Sequence, residues 1–230
     1  MPVSLGDAYR GAFTRLDTRL RAVAATDPAT LDTLVPACPG WTVHGVVSHL
    51  SGLAVDILAG RLPGIPDDEW TAGQVDARLG VPVEEVLEEW APHVDAIAAG
   101  LDSRTIPPPA AADALTHEGD VAEALADPVP PEEGWRDGAR LLCRGKVRGI
   151  ERPGTLTVRC GDDEWTGGSG GDGPAAAVEV DPWEFFRGVF SRRSTDQMRA
   201  WAWDGDPEPW LASLTVFGLR TDDQPRCAGT

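Results

Sequence analysis

Positive charge is scarce in this chain. Twenty Lys and Arg stand against 37 Asp and Glu over 230 residues, giving a net charge of −17 and a pI near 4.5. Binding nucleic acid needs a basic face to neutralise phosphates, so that class of partner is excluded. Long hydrophobic runs are lacking too: none reaches the roughly 18 residues that cross a bilayer. The opening MPVSLGDAYRGAF has no basic start followed by a long apolar stretch, so no secretory leader is expected, and the reading is a cytoplasmic protein with no membrane partner. Cysteine is sparse and scattered (Cys38, Cys143, Cys160, Cys227) with no CxxC, which predicts four free thiols in a reducing compartment. Tyrosine occurs once against nine Trp, and most of those Trp are expected in cores. HExxH, the nucleophile elbow and the Walker loop are all missing.

The hydrophobic fraction of 42% and charged fraction of 25% are those of a globular protein large enough for one large or two small domains. From Ser4, apolar residues Leu5, Ala8, Tyr9, Ala12, Phe13, Leu16, Leu20 and Val23 recur at helical steps, and Ser4 with Asp7 resembles a capping box. Thr42 is placed to cap a second helix, whose stripe runs from Val43 to Leu58. A connection over about 60–81, marked by Gly and Pro, leads to a third helix from Val83 to Leu101, which Pro92 should kink or split. The Pro107-Pro108-Pro109 run precedes a fourth helix over about 110–126.

These helices predict a mainly α, α+β protein: a four-helix bundle over 1–134, and a smaller α/β domain over 135–230 beyond the linker DPVPPEEG (127–134). In the second domain a helix is expected from Trp135 to about Lys146. TLTVRC (155–160) and AAAVEV (175–180) read as strands, with the Gly-rich GDDEWTGGSGGDG as a flexible connection between them. Asp181-Pro182 then starts a helix with Trp183, Phe186, Val189 and Phe190 on its apolar face.

Only four histidines are available: His44, His49, His93 and His117. His49 lies on the apolar stripe of the second helix, three after Val46 and four before Leu53. Asp113 and His117 are four apart, which puts them on one face of the fourth helix. Asp120 and Glu123 continue that side, so acid sits where a core helix should be apolar, and buried acid and imidazole need compensation. A divalent metal held by His49, Asp113 and His117 would compensate all three and leave a coordination position open. The opposing reading is a satisfied core histidine beside a solvated face carrying Asp113, Glu118 and Glu123. His44 is expected at the surface and His93 in a surface or packing role. Cys38, before a Pro-Gly turn, is read as packing more readily than redox.

The segment Cys38-Pro39-Gly40-Trp41-Thr42-Val43 with His49-Leu50 resembles the N-terminal signature of the mycothiol-dependent maleylpyruvate isomerase family, within the DinB-like group of metal-binding four-helix bundles. The likeness continues in Trp70–Val75, in Glu88-Glu89-Trp90, in Asp113–Asp120 (DALTHEGD), and near the end in FFRGVFSRRSTDQMRAWAWDGDP. It implies a site of His49, Asp113 and His117 holding zinc or another divalent metal. Relatives often carry Glu where this chain has Asp113, whose shorter side chain brings its helix nearer the metal, and usually Gly where it has Ser191.

The chemistry implied is that of a mycothiol-dependent isomerase or S-transferase. A metal-activated thiolate of the cosubstrate mycothiol adds to the double bond of a maleyl group, the new single bond rotates, and expulsion of the thiolate gives the fumaryl isomer. An S-transferase would keep the adduct on another small electrophile. Substrate carboxylates call for cations, and Arg187, Arg192 and Arg193 are the candidates, with Arg78 a weaker one; the opposing reading is that these arginines are solvated or pair with nearby acids such as Glu184 and Asp196. The alternative function is a non-catalytic metal-binding module.

Overall fold

The computed structural model describes residues 4–63 and 67–229. Residues 1–3, which begin the segment read for a leader, 64–66 within the expected connection, and 230 lie outside that description. The chain divides into two compact units, Met1–Gly138 with Arg226–Thr230, and Ala139–Pro225. The tail returns to the first unit because the Ala228 amide donates to the Asp127 carbonyl at 2.9 Å and Pro128 and Ala228 form a parallel bridge.

In the first unit, α1 (Leu5–Thr26) begins where Ser4 and Asp7 cap each other: the Ser4 hydroxyl accepts from the Asp7 amide at 3.1 Å, and Asp7 accepts from the Ser4 amide at 3.3 Å. Its stripe Ala8, Tyr9, Ala12, Leu16, Leu20 and Val23 is buried. Thr42 caps α2 (Val43–Leu58) through the Gly45 amide at 3.1 Å. The connection expected over 60–81 contains a further helix, α3 (Asp68–Asp76). Pro92, which has no amide to donate, splits the third expected helix into α4 (Val83–Trp90), a 3₁₀ turn at Ala91–His93, and α5 (Val94–Ser103). α6 (Pro109–Ala124) follows the proline run, and α7 (Glu132–Arg148) crosses from the first unit into the second.

α1 packs on α5 and α6, while α2 packs on α3, α4 and α6. The shared core includes Leu20, Leu50, Leu87, Trp90, Ile97 and Leu115. Trp90 donates its indole N–H to the Tyr9 hydroxyl at 2.8 Å and meets the edges of Tyr9 and Phe13, and burial pushes the Tyr9 phenol well above its ordinary range.

The second unit is built on a sheet ordered β2-β1-β3-β4, with β1 (Gly154–Cys160) antiparallel to β2 (Asp163–Gly170) and parallel to β3 (Ala175–Val180). The Gly-rich stretch is therefore largely strand β2 and not a flexible connection. Gly167 serves close approach: a Cβ there would run into the Val147 carbonyl of α7. After β3, Asp181 caps α8 (Pro182–Val189) through the amides of Trp183 at 2.8 Å and Glu184 at 3.1 Å. Then come α9 (Thr195–Arg199), β4 (Ala202–Asp204), antiparallel to β3, and α10 (Glu208–Leu214).

The fold is mainly α, α+β overall. Five of the nine Trp (Trp90, Trp135, Trp165, Trp183 and Trp210) are buried, and all four cysteines are buried and unbridged. Among the described residues, no helix is long and apolar enough to cross a membrane.

Candidate metal centre

α6 is the most deeply buried helix of the first unit, and its acid is buried with it. Glu118, Asp120 and Glu123 are each 5% exposed or less, which overturns the solvated-face reading of this helix. Glu118 is answered by the Arg15 guanidinium of α1, whose Nε and Nη2 reach its two carboxylate oxygens at 2.5 and 2.8 Å. Asp113 is half-buried, so it is no solvated-face residue either.

His49 of α2 and Asp113 and His117 of α6 meet. His49 Nε2 stands 3.1 Å from one Asp113 oxygen and His117 Nε2 stands 3.5 Å from the other. The rings of His49 and His117 meet edge-on at 5.3 Å. One ligand atom from each residue can be chosen so that all lie within 4.8 Å of one another. Bonds of about 2.0–2.2 Å to a tetrahedral ion set ligand atoms roughly 3.2–3.6 Å apart, close to the two separations here.

The far side of each ring says more. His49 Nδ1 lies 2.7 Å from the Gln74 side-chain oxygen, and the Gln74 amide nitrogen donates to Asp56 at 2.8 Å. That second bond fixes which end of the amide faces the imidazole, so His49 Nδ1 must carry the proton. His117 Nδ1 lies 2.9 Å from the Asp120 carboxylate, an acceptor, so it too is the protonated nitrogen. In neutral imidazoles both Nε2 atoms then present lone pairs towards the Asp113 carboxylate, which sets three acceptors facing one another. A cation between them resolves that conflict, and two imidazoles with one carboxylate are a donor set suited to zinc.

A second group, Cys38, His117 and Asp120, also lies within metal-binding spacing. Its members already pair with one another, however: the Cys38 thiol donates to the Asp120 oxygen at 3.3 Å and His117 Nδ1 donates to the same oxygen. The first group is therefore the better candidate.

The loop before α2 frames the site. Cys38-Pro39-Gly40-Trp41 forms a turn closed by the Trp41 amide to the Cys38 carbonyl at 3.0 Å, with Gly40 at φ +86 in the third position as a type II turn requires. The turn sets the Trp41 ring 5.0 Å from His49 and 6.1 Å from His117. α3 lies close enough to α2 that a Cβ at Gly52 would come within 2.7 Å of the Gln74 side chain. The cleft there, about 680 Å³, is lined by Gln74, Asp56, Arg61, Arg78 and Trp70 among others.

The remaining expected residues lie elsewhere. His44, expected at the surface, is half-buried with Nε2 2.7 Å from the Val81 carbonyl. His93 is half-buried in the turn between α4 and α5. Arg78 donates to Glu89 at 2.5 Å and to the Gln74 carbonyl at 2.9 Å. Its guanidinium and the Ser51 hydroxyl hold the Glu89 carboxyl below its ordinary range, against the upward pull of burial.

Arg187, Arg192 and Arg193 belong to the second unit. Arg187 is fully buried and lies over the Trp183 ring at 5.7 Å, and Arg192 lies over Phe217 at 5.8 Å. Arg193, 1% exposed, is gripped in fork fashion by Glu184 at 2.9 and 2.6 Å. Ser191 adopts φ +60, a backbone state that favours glycine, which accounts for the Gly expected there in relatives. Its hydroxyl donates to the Gly218 carbonyl at 2.8 Å and accepts from the Phe217 amide at 3.2 Å.

Residues 10–144 match the family described as mycothiol maleylpyruvate isomerase N-terminal domain. The chain belongs to this family. Its fold is similar to the crystal structure of the mycothiol-dependent maleylpyruvate isomerase, with 14% identity, a TM-score of 0.51, and coverage of 82% of this chain and 88% of that one. It is likewise similar to the structure of a histidine-to-alanine mutant of that isomerase, with 13% identity, a TM-score of 0.50 and the same coverage. No curated protein sequence matches the chain.

For this family member, Gln74, Asp120 and Trp41 are the surroundings that sequence reasoning left without a role. The available signal was their place inside the quoted motifs, with Asp120 an acid on a helix otherwise packed in the core.

Proposed function

We propose that this chain is a zinc-dependent enzyme of the cytoplasm that uses mycothiol to isomerise a small electrophile, or to attack one and keep the thiol adduct. The observation that carries this reading is the meeting of His49, Asp113 and His117 with both imidazoles held at Nδ1. Membership of a family named for mycothiol and maleylpyruvate isomerisation supplies the thiol and the substrate class. A divalent ion bound there supplies Lewis acidity, which shifts a thiol towards its thiolate at neutral pH.

The chain's own residues do the positioning. His49 and His117 offer Nε2, Asp113 offers a carboxylate, and Trp41 covers the two rings on one side and keeps water from them. The Asp113 side chain, 28% exposed against 5% and 7% for the histidines, is the open edge through which a thiol reaches the site. Arg187 and Arg192 are proposed to receive the substrate carboxylates. Arg193, in a fork with Glu184, is a candidate for the same role.

Elemental analysis of the purified protein combined with mycothiol titration tests the proposal. We expect stoichiometric zinc, and a chelator that abolishes thiol transfer while the fold persists. His49→Ala should lose zinc and activity together, and retention of stoichiometric zinc by that variant removes His49 from the site. A protein that melts on chelation and forms no thiol adduct with any electrophile would instead be a metal-stabilised module.

A further inference from the structure

Asp120 is 1% exposed, a carboxylate inside a helical core where its burial is costly unless it is matched by donors. Two of its donors are the His117 Nδ1–H at 2.9 Å and the Cys38 thiol at 3.3 Å, both on the same oxygen. A neutral imidazole has one N–H and one lone pair, and which nitrogen holds the proton is set by the partner of the other. From these contacts we infer that Asp120 is the positioning residue for His117: it pins the proton on Nδ1 and so turns the lone pair of Nε2 towards Asp113. The inference rests on the metal reading above and adds to it the residue that makes one ligand competent.

The alternatives at this position show why a carboxylate is needed. An amide of the same shape can present its NH₂ to His117 Nδ1, in which case the ring proton moves to Nε2 and occupies the lone pair needed for a metal. An apolar residue leaves both tautomers open and the ring free to turn. Cys38, placed by the turn it begins, donates its proton to the Asp120 oxygen, which makes it a support of the carboxylate instead of a nucleophile. On the other imidazole, Gln74 performs the same service with a neutral oxygen whose orientation Asp56 fixes. Partners of this kind fix the ring and raise the basicity of the ligating nitrogen, and losing one weakens metal binding by about 10–100-fold.

The test uses the full chain and two readings. Nitrogen-15 spectra of the imidazoles in metal-stripped protein report the tautomer of His117 directly, and competition with a chelator reports zinc affinity. We expect the Nδ1–H tautomer in the natural protein, and a move towards Nε2–H in Asp120→Asn. That variant should bind zinc about 10–100-fold more weakly with an unchanged melting temperature, a pattern that a merely structural role would not produce. Finding Nε2–H in the natural protein overturns the inference, as does an Asp120→Asn variant with unaltered tautomer and affinity. Should that variant fail to fold, the natural protein's tautomer decides alone. A natural protein that takes up no zinc overturns the metal reading, while the tautomer of its His117 still decides this one.

Discussion

Glu118 shows how a single buried charge is kept tolerable. Its burial pushes the carboxyl above its usual value, and the Arg15 guanidinium opposes that shift with two close contacts. A carboxyl whose folded pKa is raised contributes stability below its unfolded value and loses it as pH rises through the folded one. Removing Arg15 widens the gap and leaves an uncompensated charge beside His117. Arg15→Ala should therefore cost about 3–5 kcal/mol at neutral pH, the usual penalty for breaking a buried pair by one partner. Denaturant titrations at two pH values check this, with a smaller deficit expected at the more acid pH. Adding Glu118→Gln should restore most of the loss, and a double variant as unstable as the single one would show that Arg15 acts through packing.

Between elements, the approach of α3 to α2 decides whether Gln74 reaches His49. Gly52 permits that approach, since a side chain there would meet Gln74 and Arg78 within 3 Å. Gly52→Val should cost about 1–3 kcal/mol by overpacking, and should weaken zinc binding because Gln74 is pushed off Nδ1. Isothermal titration with zinc beside a denaturant curve separates the two effects, and unchanged zinc affinity would mean that α3 does not support the site.

The same element shows where sequence reading stops. α1, α2 and α4 with α5 were legible because their apolar residues repeat at helical steps, and α6 from the proline run before it. α3 carries one buried residue, Gln74, and that residue is polar, so no stripe announces it. β2 was hidden because its glycines read as slack, when Gly167 is there for close approach to α7 and Gly168 for close approach to Gly154 of β1. β4 is three residues long, too short for any alternation to register. For the site, His49, Asp113 and His117 could be named from helix positions and motif likeness. Asp120 and Gln74 could not be given roles, because a tautomer depends on which atom faces which, and spacing along a chain does not carry that.

Across the whole molecule, the candidate ligands all come from the first unit: α2 supplies one and α6 two, while the second unit has a sheet and core of its own. Metal binding is then expected to stabilise one unit and leave the other nearly unchanged. Binding free energy of a metal to preformed ligands appears as folding free energy of the segment that holds them. Stripping zinc should raise amide hydrogen exchange in α2 and α6, whose side chains would face one another as buried lone pairs and a carboxylate with no cation between them. The ladder between β1 and β3 has no ligand in it and should exchange at the same rate with and without metal. Two separate unfolding steps in calorimetry, only the one assigned to the first unit moving with chelator, would agree with this. A chelator that accelerates exchange equally in β1 and α6 would show instead that the two units fold as a single cooperative body, and that the metal's influence extends well beyond the helices that hold it.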